Sequence, residues 1–246
     1  MIPSSHPRAV SLLIREKLIH GFENGLVAKE GLIAHGRGET FDYLLGEKTT
    51  KSAKKATKAA ALALILAKKP VISVNGNIAA LCAKEIVHLA IIVDAKIEVN
   101  LFYGYKKRKQ NIARILRKNG AKEILGLDPR SSRRISGLDS PRRVVDKDGI
   151  YAADTVLVPL EDGDRTLALV KAGKKVITFD LNPLSRTAQT ADITIVDNVV
   201  RGLKELIIEC KKVSKNPKTI PFDNKRNLSE AINEIRKNLA RRARYA

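Results

Sequence analysis

The sequence has no tryptophan, one methionine, two cysteines and only 4% aromatic residues. So little aromatic surface leaves few candidates for the base-stacking platforms of single-strand and RNA-recognition modules. The cysteines, Cys82 and Cys210, fall inside predicted helices with no CxxC and no paired histidine nearby. Neither a zinc site nor a disulfide framework is suggested, and buried free thiols are expected. No apolar run approaches the length of a membrane span, and residues 1–6 lead into an amphipathic segment rather than an apolar leader. A cytoplasmic protein with no membrane attachment is expected. The longest apolar run, 59–67, is alanine-rich and bracketed by Lys58 and Lys68, as in a packed helix. The common phosphate motifs are also missing. There is no GxxxxGK[ST], and the close pair Gly36 and Gly38 lacks a third glycine and follows no clear strand. A P-loop ATPase and an ordinary dinucleotide dehydrogenase are therefore disfavoured.

Acidic charge is scarce as well: 26 Asp plus Glu stand against 46 Lys plus Arg, a formal net charge of +20. The partner should be anionic. Nucleic acid, phosphate-bearing metabolites and a basic tail would each give such a total, so the charge selects the sign of the ligand and not its class. The run 106–118 and the tail arginines Arg241, Arg242 and Arg244 favour nucleic acid. The scarcity of aromatics and the absence of a zinc-finger or RRM signature weigh against it.

From residue 70 onward, short β-branched runs alternate with helical patterns, the mark of βαβ units and a parallel sheet. The expected fold is α/β, a Rossmann-like parallel sheet flanked by helices, with an N-terminal helical section and a C-terminal helix. Candidate strands are 71–74, 97–101, 123–127, 155–160, 176–181 and 193–196, most of them apolar on both faces as a covered sheet requires. Helical patterns occupy 78–90, 106–118, 165–172 and 199–212. Residues 1–69 read as a helical and glycine-rich cap, 70–212 as the nucleotide-binding core, and 213–246 as a linker with Pro217 and Pro221 followed by a basic amphipathic helix. All three should form one compact unit. The last helix shows a capping-box-like Asn227 and Glu230 and an apolar stripe of Leu228, Ile232, Ile235 and Leu239. That stripe needs a partner, on its own chain or on a second subunit.

Ligands of open α/β sheets bind beyond the carboxyl ends of the strands, and three strand ends carry polar groups. After 71–74 come Asn75, Gly76 and Asn77, a tight turn into a helix whose free amides suit an anion; an ordinary turn with a helix cap accounts for the same residues. The segment VPLEDGDRT places Glu161, Asp162 and Asp164 before the next helix, where they could hold Mg²⁺, bond a ribose or accept from a substrate amine. Helix capping explains any one of them equally well. In VITFDLNPLSRTAQ, Asp180 ends a strand, Asn182 offers donor and acceptor, Arg186 supplies a forked phosphate donor and Thr187 a hydroxyl. Asn198, after the last strand, could close the same crevice. Turn and cap roles explain each singly; five converging polar groups are more specific. Outside the sheet, HGRGETFDYLLGE mixes His35, Arg37 and glycines that suggest close approach of backbone to a ligand. Arg15 alone reads as a solvated charge.

Taken together with the opening IPSSHPRAVSLLIREKL, these segments resemble the archaeal 4-phosphopantoate-β-alanine ligase (phosphopantothenate synthetase) family over most of the chain. The resemblance implies a homodimer with a Rossmann-like core that uses ATP, with Mg²⁺, to join 4-phosphopantoate to β-alanine through an acyl adenylate, releasing AMP and pyrophosphate on the route to coenzyme A. It further implies ATP contacts at Arg15, Arg37, Asp180, Leu181, Asn182, Arg186, Thr187, Asn198 and Val199, with Arg15, Arg37 and Arg186 stabilising charge in the transition state. His35, Asn75, Gly76, Asn77, Asp162 and Asp164 are then candidate substrate contacts. One departure stands out. After NLFY the family pattern has an arginine and acidic residues, whereas Gly104, Tyr105, Lys106 and Lys107 follow here, which puts any substrate contact from that loop in question. Nucleic acid remains a secondary partner.

Overall fold

The computed structural model describes residues 3, 5, 6, 8–160, 162–214 and 221–244. Glu161 and Pro217, singled out above, lie outside them. Three helices come first: α1 (Ala9–Glu23), α2 (Lys29–Leu45) and α3 (Lys51–Leu66). Then β1 (Pro70–Val74), α4 (Gly76–Ile92), β2 (Lys96–Val99) and α5 (Lys106–Lys118) form the first βαβ unit and its exit helix. A short antiparallel hairpin, β3 (Ser132–Arg134) and β4 (Val144–Asp146), follows. The second half runs β5 (Thr155–Leu157), α6 (Gly163–Lys171), β6 (Lys175–Phe179), α7 (Arg186–Thr190), β7 (Ile193–Ile195) and α8 (Val199–Lys212), and α9 (Asn224–Arg242) closes it.

The main sheet is parallel, in the order β2-β1-β5-β6-β7. Its alternation explains its two apolar layers. Ile72, Val74, Leu157, Ile177 and Phe179 point to the face covered by α1, α3, α4, α5 and α8. Val71, Val156, Val158 and Val176 point to the other, under Ala168 and Leu169 of α6 and Ile135, Val145 and Ile150 from the hairpin region. A sheet buried on both faces needs doubly apolar strands, which is what these runs supply. The alanines of α3, with Ala53, Ala56 and Ala60 fully buried, let that helix approach β7 and α8 closely.

Three expectations need correction. Residues 123–127 do not make a strand. Leu125 forms one parallel bridge to Glu98, its N–H donating to the Ile97 carbonyl at 2.9 Å and its carbonyl accepting from Val99 at 3.0 Å. Pairing stops there because Gly126, at φ +81°, turns the chain away, and a Cβ at that position would stand 2.5 Å from the Val99 carbonyl oxygen. The glycine-rich segment, expected beside the helical section rather than as part of it, is itself helical: it is α2, closed by Gly46. Gly31 is there for space, since a Cβ would lie 2.3 Å from Asn77 Oδ1. Finally, α9 starts at Asn224 and is capped by Asp223, whose side chain accepts from the Arg226 amide at 3.0 Å, while Asn227 is buried within the helix.

The last helix docks on its own chain. Leu228 and Ala231 join Leu45, Leu181, Ala188 and Val196 in a third apolar cluster, with Ile235 packed against it, whereas Leu239 remains 44% exposed. Asn224 donates to the carbonyls of Ala188 (2.9 Å) and Ala191 (2.8 Å) and accepts from the Thr194 amide (2.9 Å). Glu234 accepts from the amides of Lys51 (2.9 Å) and Ser52 (3.3 Å), so it serves as the anionic cap of α3. No described helix is long and apolar enough to cross a membrane.

Candidate functional site

Between β1 and β5 the connections leave the sheet in opposite directions: β1 passes through α4 to β2, and β5 through α6 to β6. Such a switch point opens a crevice at the strand carboxyl ends. A cavity of about 800 Å³ lies there, bounded by α2, the Asn75 turn, the residues after β2 and the segments that follow β5 and β6. A second cavity of about 650 Å³ sits at the opposite, amino end of the sheet, where Lys68, Lys69, Lys96 and Lys122 alternate with Asp94, Glu123 and Asp148. Only the first gathers the polar strand ends.

Many of the expected residues meet in that cavity. His35, Arg37, Asn75, Gly76, Asn77, Asp162, Asp180, Leu181, Asn182, Arg186 and Thr187 all line it. Asp180 follows β6; burial raises its pKa, opposed by the Ser185 hydroxyl, the Asn182 amide and the Arg37 charge. The Asn182 side chain accepts from the Leu184 amide at 2.9 Å and shapes the turn into α7. Arg186 pairs with Asp164 at 2.6 Å on the rim, where both are largely exposed. An exposed pair contributes little to stability, so Arg186 can exchange partners readily. Burial lowers the His35 pKa and Arg15 lowers it further, against the pull of Glu39 and Asp42, so the ring stands neutral near pH 7. Its Nε2 is buried without a partner.

The turn after β1 is more structural than expected. Asn75 Oδ1 caps α4 by accepting from the Ile78 amide at 3.1 Å, while its Nδ2 donates to the carbonyls of Pro159 (3.3 Å) and Leu160 (3.0 Å), tying the two strands across the switch point. Leu160 is held at φ +56°, a conformation that costs a non-glycine residue about 1 kcal/mol or more. Asn77 donates to the Gly31 carbonyl at 2.8 Å and so fixes the start of α2.

Arg15, Asn198 and Val199 do not line the cavity. Arg15 donates to Glu39 (3.0 Å) and to the Tyr43 hydroxyl (3.1 Å), which lie along α2 from His35. Asn198 caps α8, accepting from Val200 at 3.0 Å, and donates to Asp42 at 3.1 Å; Val199 is 4% exposed. Thus α2 links the two groups, presenting His35, Gly38 and Phe41 to the cavity and Glu39 and Asp42 to Arg15 and Asn198.

Several cavity residues escaped sequence reasoning. Arg108 turns inward from the first turn of α5, donating to the carbonyls of Leu26 (3.1 Å) and Tyr103 (3.0 Å). Arg142 arrives from the turn before β4 and pairs with Asp162 at 3.3 Å. Beneath it, Arg165 is fully buried, donating to Ser73 Oγ at 3.1 Å, and burial pushes its pKa down to about 10 against the attraction of Glu98 and Asp162. Of the segment after β2, Phe102 and Tyr103 line the cavity, whereas Gly104, Tyr105, Lys106 and Lys107 do not. In a chain with 46 basic residues nothing in the sequence marks Arg108 and Arg142 as different from their neighbours. Their one signal is position, each just outside a strand end.

The lining therefore carries Arg37, Arg108, Arg142 and Arg186 against Glu30, Asp162 and Asp180 among the described residues. Residues 52–238 match a family described as phosphopantothenate/pantothenate synthetase. The chain is 54% identical to the 4-phosphopantoate-β-alanine ligase of Thermococcus kodakarensis over 98% of its length and 95% of the relative's. It is 52% identical to the protein of that name from Methanosarcina mazei, over 97% and 95%, and 50% identical to that from Methanospirillum hungatei, over 88% and 87%.

Proposed function

The chain belongs to the phosphopantothenate/pantothenate synthetase family, and on that premise we propose that it joins 4-phosphopantoate to β-alanine in the switch-point cavity, giving 4′-phosphopantothenate for coenzyme A synthesis. The observation that carries this reading is the convergence of four arginines on one cavity at the sheet's switch point, next to the strand-end carboxylate Asp180.

A carboxylate resists attack by an amine, so it must first be activated, and ATP is the reagent. A carboxylate oxygen of 4-phosphopantoate attacks the α-phosphorus of ATP, the bond to the β-phosphate bridging oxygen breaks, and pyrophosphate leaves. The ammonium group of β-alanine first gives a proton to solvent; the neutral amine then attacks the acyl carbon of the adenylate, AMP leaves with the C–O electron pair, and the nitrogen sheds a second proton. Arg37 and Arg186 neutralise the triphosphate as charge develops, and Asp180 accepts from the ribose hydroxyls with Asn182 and Thr187 beside it. Leu181 supplies an apolar wall. For Arg15, Asn198 and Val199 the reading requires the nucleotide to extend along α2 from Gly38 toward Asp42. His35 and the Asn75, Gly76 and Asn77 turn border the space left for the acids.

Mg²⁺ fits as part of the nucleotide substrate. It is held chiefly by phosphates and water with one or two carboxylates, and Asp164 stands in the first turn of α6 beside Arg186. Among the described residues no group of three or more ligating side chains is assembled, and the reading brings the ion in with ATP. A homodimer would cover Val10, Leu13 and Ile19 of α1 and Ile33 of α2, which are exposed apolar side chains.

The test is AMP release from ATP and Mg²⁺ with both acids, with each acid alone, and with unphosphorylated pantoate. AMP and phosphopantothenate are expected together, and only with the full pair. Binding of ATP without either product would refute the proposed activity.

A further inference from the structure

An ion pair crosses the switch point inside the cavity. Arg142 comes from the turn before β4, beside the β2 edge, and Asp162 from the start of α6, past β5; they meet at 3.3 Å. Both are held from behind. Asn100 Nδ2 donates to the carbonyls of Arg142 (3.3 Å) and Val144 (2.9 Å). Glu98, two residues earlier and so on the same face of the strand, accepts from the amides of Asp146 (3.0 Å) and Ile150 (2.6 Å). Asn100 thus takes carbonyls and Glu98 takes amides of one loop, and the loop cannot slide along the sheet edge. Asp162 in turn caps α6, accepting from the Arg165 amide at 2.9 Å. Leu101, Phe102 and Tyr103 complete the wall next to the pair.

We propose that Arg142 and Asp162 form the subsite for the amino acid, Arg142 taking its carboxylate and Asp162 its ammonium group, with Asn100 and Glu98 as positioning residues. The inference rests on the ligase reading above and adds which of the two acids this wall receives. Fixed opposite charges complement a molecule that bears both signs. The phosphorylated acid offers only negative charge, which Asp162 repels, and with Arg37 and Arg186 facing the triphosphate it is better matched by Arg108 elsewhere on the lining. A zwitterion seated between them offers each charge an opposite one, so the buried guanidinium of Arg142 keeps an anionic partner when the amino acid binds. The apolar surface of Leu101 and Phe102 suits the two methylenes of β-alanine.

The experiment is steady-state kinetics on the full chain with ATP, Mg²⁺ and both acids, using Arg142→Met, Asn100→Ala and the double variant, with β-alaninamide as a substrate lacking the carboxylate. Arg142→Met should raise KM for β-alanine by roughly thirtyfold or more, as loss of one partner of a charge pair does, while KM for ATP and 4-phosphopantoate changes far less. ATP–pyrophosphate exchange dependent on 4-phosphopantoate should persist. Asn100→Ala should move the same KM by a smaller factor, and the double variant should be no worse than Arg142→Met alone. A rise in KM for 4-phosphopantoate instead, or an equal rise for all three substrates, overturns the assignment. Should Arg142→Met fail to fold, the wild-type enzyme still decides: equal kcat/KM for β-alanine and β-alaninamide also overturns it. A wild type inactive with the full pair would sink the ligase reading itself, which is a different result from an active wild type whose variants keep their KM for β-alanine.

Discussion

Replacing Glu98 by glutamine should change how stability depends on pH, and the structure sets both sign and size. Glu98 is fully buried, and burial pushes its carboxyl from the ordinary 4.5 up to about 7, against two backbone amides and the attraction of Arg165. The groups around it are Asp146, which raises the value, and Arg165, Lys109 and Lys174, whose charges favour the ionised form. In the unfolded chain the group ionises near 4.5, so between that value and about 7 the folded state binds more protons. Stability from this group is therefore full at low pH and falls as pH rises through that window. At about 1.4 kcal/mol per pKa unit, the loss amounts to roughly 3 kcal/mol. Glu98→Gln carries no such titration. The assay is urea unfolding followed by circular dichroism at intervals from about pH 4.5 to 8, with the wild-type-minus-variant difference plotted against pH so that other carboxylates cancel. The wild type should lose its relative advantage by roughly 3 kcal/mol across that range. A flat difference would mean that the two amides and Arg165 keep Glu98 ionised throughout, and the burial argument would be refuted.

Further outcomes follow from other contacts. Asn224→Ala, which abandons two buried carbonyls and the Thr194 amide, should lower unfolding free energy by about 2–4 kcal/mol while leaving KM for ATP near the wild-type value; thermal melts and kinetics check both. Arg186→Met should raise KM for ATP by about tenfold yet change stability by less than about 0.5 kcal/mol, because its pair with Asp164 is largely exposed. Raising salt from about 50 to 200 mM should weaken retention on RNA or DNA by orders of magnitude if the +20 charge binds nucleic acid. Turnover should change only a few-fold over the same range, and parallel steep losses of both would tie the two sites together.

The parallel core was legible because burial on both faces writes itself into strands as unbroken apolar runs: 71–74 and 176–181 contain most of β1 and β6, and 193–196 contains all of β7. Residues 123–127 carry a similar run, yet one glycine with a left-handed backbone reduces them to a bridge. The helix α2 was illegible for the opposite reason. Its glycines answer to neighbours distant in sequence, such as Asn77, and local propensity reads them as a loop. The hairpin of β3 and β4 is three residues a side and carries arginines on its first strand, too short for any period to show. At the site, Asp180, Asn182, Arg186 and Thr187 could be found because they cluster directly after one strand. Arg142 and Arg165 could not, since what singles them out is burial, nor could Arg108, whose side chain turns back onto the Leu26 and Tyr103 carbonyls; both are properties of the folded chain alone. Asn75 was found for an incomplete reason: its side chain spends its hydrogen bonds on joining β1 to the end of β5.

The docking of α9 also bears on the order in which the protein can be made. Thr50 caps α3 locally, but the amides of Lys51 and Ser52 are met by Glu234, 183 residues from Lys51, and Asn238 donates to the Leu44 carbonyl across 194 residues. Until α9 has emerged from the ribosome, the junction between α2 and α3 keeps exposed amides and an unanchored end. Since α2 is one wall of the cavity, that wall waits on a helix made well after it, and a nascent chain that already holds the whole sheet lacks the anchor of α9. Such long-range closure slows folding relative to locally wired helices, and it couples the appearance of a competent site to the docking of α9.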